Sequence, residues 1–282
     1  MGADDSGAGR VELHIEVDGD GPCVALAHGF GGSARNFRRQ ARALRPRYRA
    51  AVFDLRGHAR SGAPEDPRAY ALGALAGDFE RVLERAGAER ACVGGLSLGA
   101  ALALRFALER PARVEALVLA SYPAFGGGAR ARAFAEAIER QGLAAAGERF
   151  AWGPDSGLDE GGAALVRQGF LEHAPRALAH VLREALAELP SPEALAPRLA
   201  GLDRPVLLVA GGSDAGSLAA CRRLAALLPR ARLEVIPGAG HVVNLARPRD
   251  FDALLLGFLA SAAGGAPPGP QEPPSSRSRR NG

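Results

Sequence analysis

Gly95-Leu96-Ser97-Leu98-Gly99 is the segment of this chain whose residue types and spacing most directly suggest chemistry. A serine hydroxyl is a poor nucleophile at neutral pH unless a base accepts its proton and the oxygen is held exposed. The flanking residues supply the holding. The apolar run Arg90-Ala91-Cys92-Val93-Gly94 precedes the motif, and the helix-forming run Ala100 to Ala107 follows it. The segment therefore reads as strand, sharp turn and helix, with Ser97 at the apex. Side chains beside the serine would collide in such a bend, so glycine is used there. In a chain with 37 glycines the pattern alone is only moderately specific, and the rival reading is a small residue in a tight turn. Its place between a strand and a helix favours the nucleophile.

The elements that must position this serine read as alternating strands and helices. Strands are expected near 11–17, 23–28, 49–54, 90–96, 114–120, 205–211 and 231–236. Helices are expected near 34–45, 71–87, 98–109, 215–228 and 248–262. Such alternation implies a mainly parallel sheet covered by helices on both faces. Residues 123–198 contain no convincing strand and are rich in alanine, leucine, arginine and glutamate. Breaks at Gly126-Gly127-Gly128, Gly153-Pro154, Gly161-Gly162 and Pro190-Ser191-Pro192 divide that stretch into four expected helices.

Four further segments carry a resemblance to the α/β-hydrolase fold superfamily, over roughly residues 11 to 262. Val24-Ala25-Leu26-Ala27 leads into His28-Gly29-Phe30-Gly31-Gly32-Ser33, which resembles that superfamily's His-Gly loop. Asp54-Leu55-Arg56-Gly57-His58-Ala59-Arg60-Ser61-Gly62 resembles its D-x-R-G-H-G-x-S segment, with Ala59 where relatives often have glycine. Val206 to Ala210 is followed by Gly211-Gly212-Ser213-Asp214, an acid just past a late strand. Leu233 to Pro237 leads to Gly238-Ala239-Gly240-His241, which looks like the histidine loop. The order Ser, Asp, His is that of this fold.

The resemblance implies an α/β-hydrolase fold with a mostly parallel sheet of seven to eight strands. Only one strand precedes the His-Gly loop, where the full fold has two. It also implies a helical cap inserted after strand 6 of the fold's usual count. The expected organisation is a flexible N-terminus at 1–10, a core at 11–122 and 199–262, the cap at 123–198 and a disordered tail at 263–282. By the same resemblance Ser97 is the nucleophile, His241 the general base and Asp214 the acid that orients it. The N–H groups of Leu98 and Phe30 form the oxyanion hole. Asp214 has a rival reading as the N-cap of the helix that starts near Ala215. No acid follows the strand Ala116 to Ala120, where some relatives place one; Ser121-Tyr122 stands there, and Asp203 lies at the wrong end of its strand.

Other residues read more plainly. His28 and His58 each sit beside a loop glycine, where an imidazole can tie loops together, and are assigned structural roles. His14, His173 and His180 read as surface or packing residues. Phe125, Phe134, Phe150, Trp152 and Phe170 either line an apolar acyl pocket or form the cap's own core; Trp152 is the one assigned to substrate binding. Arginines such as Arg140, Arg149, Arg167, Arg176 and Arg183 read as solvated helix faces, from which one could meet a substrate carboxylate.

Composition bounds the remaining possibilities. A chain of 282 residues, 47% hydrophobic, can bury one large core. No run approaches a membrane span, and the N-terminus lacks a secretory pattern. Three cysteines, Cys23, Cys92 and Cys221, are not in metal-ligand spacing and suit a reducing, cytoplasmic setting. Every basic residue is arginine. The net charge of +4 includes Arg277, Arg279 and Arg280 of the tail, so a nucleic-acid partner is not indicated. No cofactor or metal is expected, and the expected partner is a small-molecule ester or lactone. The motifs look most like 3-oxoadipate enol-lactonases and small carboxylesterases. They also look like 2-succinyl-6-hydroxy-2,4-cyclohexadiene-1-carboxylate synthase, a carbon–carbon lyase, but Ala101 stands where that family carries an arginine. A third reading is a non-catalytic ligand-binding protein on the same scaffold.

Overall fold

A computed structural model of the chain describes residues 11–124, 127–153, 158 and 160–262. The flexible N-terminus, the tail, Phe125, Gly126 and Pro154 of the sequence reading lie outside the described residues.

Seven strands form one sheet: β1 (Ile15–Asp18), β2 (Cys23–Ala27), β3 (Arg49–Phe53), β4 (Ala91–Leu96), β5 (Val114–Ala120), β6 (Val206–Gly211) and β7 (Ala231–Ile236). Their order across the sheet is β1-β3-β2-β4-β5-β6-β7, and all neighbours run parallel except β1 against β3. Sequence pattern and structure agree on these strands to within a residue or two, except at the first. There residues 11–14 are outside the strand, with β1 only four residues long. The strands β2, β4 and β6 are buried along their whole length, as a parallel sheet covered on both faces requires.

The helices are α1 (Arg38–Leu44), α2 (Leu72–Arg85), α3 (Leu98–Glu109), α4 (Gly128–Gly147), α5 (Glu160–Phe170), α6 (Pro175–Val181), α7 (Pro192–Ala200), α8 (Ala215–Leu227), α9 (Val243–Ala246) and α10 (Pro248–Ala262). One apolar layer packs α2, α3 and α8 against the sheet through Phe79, Phe106 and Leu224. The opposite layer joins α1 and α10 to the other face through Phe37, Phe251 and Leu255.

Between β5 and β6 the described residues form four helical segments. The first is α4 with a π-helical turn at Glu148–Trp152, and the third is α6 with another at Leu182–Leu186; α5 and α7 are the other two. This insertion follows the fifth strand here because one strand of the usual count is missing at the start. Gly161-Gly162 does not break the chain as expected. It lies in the first turn of α5, and Pro175 at the first position of α6 makes the break instead. The insertion has an apolar cluster of its own, containing Phe134, Ile138, Trp152, Phe170 and Leu178.

A buried ion pair anchors the loop after β3. Arg56 Nε and Nη2 donate to the two oxygens of Asp78 at 2.7 and 2.6 Å, and Nη1 donates to the Ala69 carbonyl at 2.8 Å. The Asp78 side chain is 1% exposed. Asp78→Ala strands a buried guanidinium and is expected to cost about 3–5 kcal/mol in urea unfolding. The double variant Arg56→Met/Asp78→Leu, which leaves no unpaired charge, should be less destabilised than the single one.

Candidate active site

The strand order turns back between β3 and β4, on either side of β2, and in sheets of this type the crevice beyond the strand carboxyl ends at that point receives ligands. The loops after β2, β4, β6 and β7 all emerge at that edge. Ser97 follows β4 and adopts φ +53°, ψ −114°, a left-handed backbone that a non-glycine residue occupies only under constraint. Its N–H donates to the Ala120 carbonyl at 2.9 Å. The two flanking glycines have a specific reason. A Cβ on Gly95 would lie 2.3 Å from the Ala27 carbonyl oxygen, and one on Gly99 would lie 2.1 Å from the same atom. The end of β2 therefore occupies the space that any side chain beside the serine would need.

The loop after β2 is held against this elbow. A Cβ on Gly29 would be 3.4 Å from the Ser97 Cβ. His28, fully buried, receives the Leu55 N–H on Nε2 at 2.9 Å and donates from Nδ1 to the Gly29 carbonyl at 2.7 Å. His58 Nε2 accepts the Gly31 N–H at 3.1 Å. Burial pushes the His28 imidazole down to about 4 and holds His58 well below its usual value, so both are neutral braces at pH 7. Asp54 accepts the Ala34 N–H at 2.6 Å and pairs with Arg60 at 2.9 Å, fixing the other side of the loop. Among the described residues no acceptor takes the N–H of Phe30 or of Leu98, the first residue of α3.

Asp214 and His241 meet after β6 and β7. The Ser213 N–H donates to the Ala239 carbonyl at 2.9 Å, closing the two loops on each other. His241 Nδ1 lies 2.6 Å from Asp214 Oδ2, the N–H donating to the carboxylate. Asp214 Oδ1 meanwhile accepts the Ser217 N–H at 3.1 Å, capping α8. The two readings of this aspartate are thus not rivals, because a carboxylate has two oxygens and each takes one task. Burial alone would raise its pKa. The hydrogen bond and charge of His241, with bonds from Ser217, prevail and hold it at about 2.

Ser217 is a contact that sequence reading missed. It is buried, and its Oγ lies 3.2 Å from His241 Nδ1. Only its position one turn into α8, three residues after the acid, hints at the role. His173 is a packing residue, as one of its two readings had it, with a hydrogen bond that the sequence does not reveal. It is buried in the turn between α5 and α6, with Nε2 2.9 Å from the Gly32 carbonyl oxygen, and it ties the insertion to the loop that carries Phe30.

Ser97 and His241 face one cavity of about 350 Å³, although no hydrogen bond joins them in this structure. Catalytic hydrogen bonds are often long without substrate and tighten when it binds. Phe30, Phe134 and Phe150 line this cavity. Trp152 does not, and its assignment to substrate binding is corrected. Its indole lies on the backbone of Gly147 and against Phe170, and Nε1 donates to Glu148 Oε2 at 2.8 Å, placing it in the insertion's core. Phe170 belongs to that core as well. The arginine on the cavity wall is Arg130, which the sequence did not single out. Arg183 instead pairs with Glu139, and Arg149 lies over the Phe150 ring. Among the described residues no cluster of three or more His, Cys, Asp or Glu side chains is placed to hold a metal, and no helix is long and apolar enough to cross a membrane.

Residues 24–254 match the model of the alpha/beta hydrolase family. The chain belongs to that family. This hydrolase is 31% identical over 271 residues to a protein of Azorhizobium caulinodans named "Putative carbamate hydrolase RutD", covering 89% of this chain and 96% of that one. It is 30% identical over 266 residues to the Bacillus subtilis protein named "Putative 2-succinyl-6-hydroxy-2,4-cyclohexadiene-1-carboxylate synthase", covering 88% and 96%. Among solved structures it superposes on the enol-lactonase from Burkholderia xenovorans with a TM-score of 0.79 at 25% identity, covering 89% of this chain and 97% of that one.

Proposed function

We propose that this hydrolase cleaves a carboxylic ester or lactone through Ser97, His241 and Asp214. The observation that carries the reading is the 2.6 Å bond between Asp214 and His241, made on the wall of the cavity into which the strained Ser97 turn opens. Ser97 Oγ attacks the carbonyl carbon while His241 Nε2 takes its proton, and the oxyanion is received by the N–H groups of Leu98 and Phe30. His241 then passes that proton to the departing alkoxide. A water, deprotonated by the same nitrogen, attacks the acyl-enzyme and releases the acid and free Ser97. Asp214 keeps the imidazole in the tautomer with Nδ1–H and stabilises its cationic form. The enol-lactonase likeness supports this substrate class. The three buried, unpaired cysteines support a cytoplasmic setting.

The synthase alternative draws less support from the cavity. A substrate with a succinyl group and a ring carboxylate carries two anions, each needing a charged partner when desolvated. Among the described residues Arg130 is the sole arginine on the wall, and its Nη2 already donates to the Phe150 carbonyl at 3.1 Å.

Fluorophosphonate labelling followed by intact mass tests the reading. Stoichiometric labelling of the wild-type protein that disappears in Ser97→Ala and in His241→Ala is the expected result. A folded wild-type protein that takes no label, and turns over no ester or lactone, would count against it.

A further inference from the structure

We infer that the substrate of this hydrolase carries an uncharged apolar chain of roughly six to ten carbons, seated in the cavity between the sheet edge and the helical insertion. The inference rests on the hydrolase reading above and narrows its substrate class. The cavity holds about 350 Å³. At about 30 Å³ for each water-sized group, that is room for about a dozen non-hydrogen atoms. The reacting carboxyl group takes three of them, and the remainder sets the length of the chain.

The walls decide its chemistry. Among the described residues the polar side chains on the wall are those of Ser97, His241 and Arg130, and apolar ones such as Phe30, Phe134, Phe150, Val166, Leu182 and Leu186 make up most of the rest. The aromatic part of this wall is locked by its own contacts. Phe134 stacks on Phe150 with centroids 4.9 Å apart, and Phe30 meets Phe134 edge-on at 5.7 Å. Arg130 presents its guanidinium over the Phe150 ring at 5.3 Å. Arg130 is itself an exposed residue, so among the described lining residues the buried part of the wall offers no cationic side chain to an anion. A surface of this kind rewards each methylene removed from water and penalises each charge.

Two ester series test the inference and show which side of the ester enters the cavity. One is the p-nitrophenyl acyl esters from two to twelve carbons, and the other is the acetate esters of straight-chain alcohols of the same lengths, followed by pH-stat. The expected result is a rise in kcat/KM of about three- to four-fold per methylene in one series, ending between six and ten carbons. Val166→Trp, which fills the wall contributed by α5, should lower the ratio of eight-carbon to two-carbon kcat/KM in that series by about ten-fold or more. Val166→Ala, which enlarges the cavity, should move the optimum to longer chains, so the test survives poor folding of the tryptophan variant. Turnover that depends on Ser97 but is flat or falls with length in both series overturns the chain inference and leaves the hydrolase reading standing. Absence of Ser97-dependent turnover at every length overturns both.

Discussion

Ser97→Ala is expected to remain folded and to lose ester hydrolysis by about 10⁴–10⁶ in kcat. The size of the effect follows from the proposed covalent step. With the hydroxyl gone, no acyl-enzyme can form, and the oxyanion donors and the binding cavity still present account for the residual rate. The fold should tolerate the change because the strain at φ +53° is imposed by the backbone around the turn, chiefly the Ala27 carbonyl packed against Gly95 and Gly99, and alanine is no larger than serine. Steady-state kinetics on the best ester of the length series, beside a thermal melt of both proteins, make the check. Equal rates in wild type and variant would remove Ser97 from the mechanism whatever the motif suggests.

Asp214→Asn should separate the two tasks that the structure assigns to one carboxylate. An asparagine oxygen still accepts the Ser217 N–H and caps α8, so this variant should keep the cap's share of the stability and lose only what the ionised carboxylate adds. It cannot serve His241 in the same way. Its amide presents a donor, or a neutral acceptor, where the imidazole Nδ1–H has a carboxylate at 2.6 Å, and the expected loss in kcat is about 10⁴. Asp214→Ala should lose similar activity and, in addition, about 0.5–2 kcal/mol of stability through the missing cap. If Asp214→Asn leaves kcat intact and Asp214→Ala loses only stability, the residue is a cap alone.

The pH behaviour of this group follows from its depressed pKa. The folded value of about 2 lies below the ordinary 3.8, so the stability it contributes is fully present above the ordinary value. That contribution is lost as the pH falls from there through about 2. Any decline in activity between pH 7 and pH 4 therefore has another origin than protonation of Asp214, and a pH–rate profile of the wild type should show no inflection from it in that window.

Much of the site was legible because its parts are local. A strand, a turn glycine and a helix signal lie within a few residues of Ser97, and the backbone constraint that demands glycine at positions 95 and 99 acts over the same short distance. Asp214 and His241 could be located because the loops that carry them, each after a late strand, resemble those of the α/β-hydrolase family. Contacts between residues distant in the chain could not be located this way. Ser217 reaches His241 across 24 residues, and His173 reaches Gly32 across 141, so neither pairing leaves a periodic trace. Trp152 failed for a related reason. An aromatic residue in an amphipathic segment looks the same whether it faces a cavity or a neighbouring helix, and here the ring turned toward Gly147 and Phe170.

The sequence by itself determined the alternating architecture and the serine turn, because strand periodicity and turn chemistry are set by near neighbours, and resemblance of its loops to those of the family added the candidates Asp214 and His241. Only the tertiary structure decided that Asp214 meets both α8 and His241, that Arg130 stands on the cavity wall in place of the other arginines of the insertion, and that mostly apolar side chains line the space above Ser97. Those features arise where side chains distant in the chain converge, and their relative placement depends on how the helices of the insertion settle over the sheet.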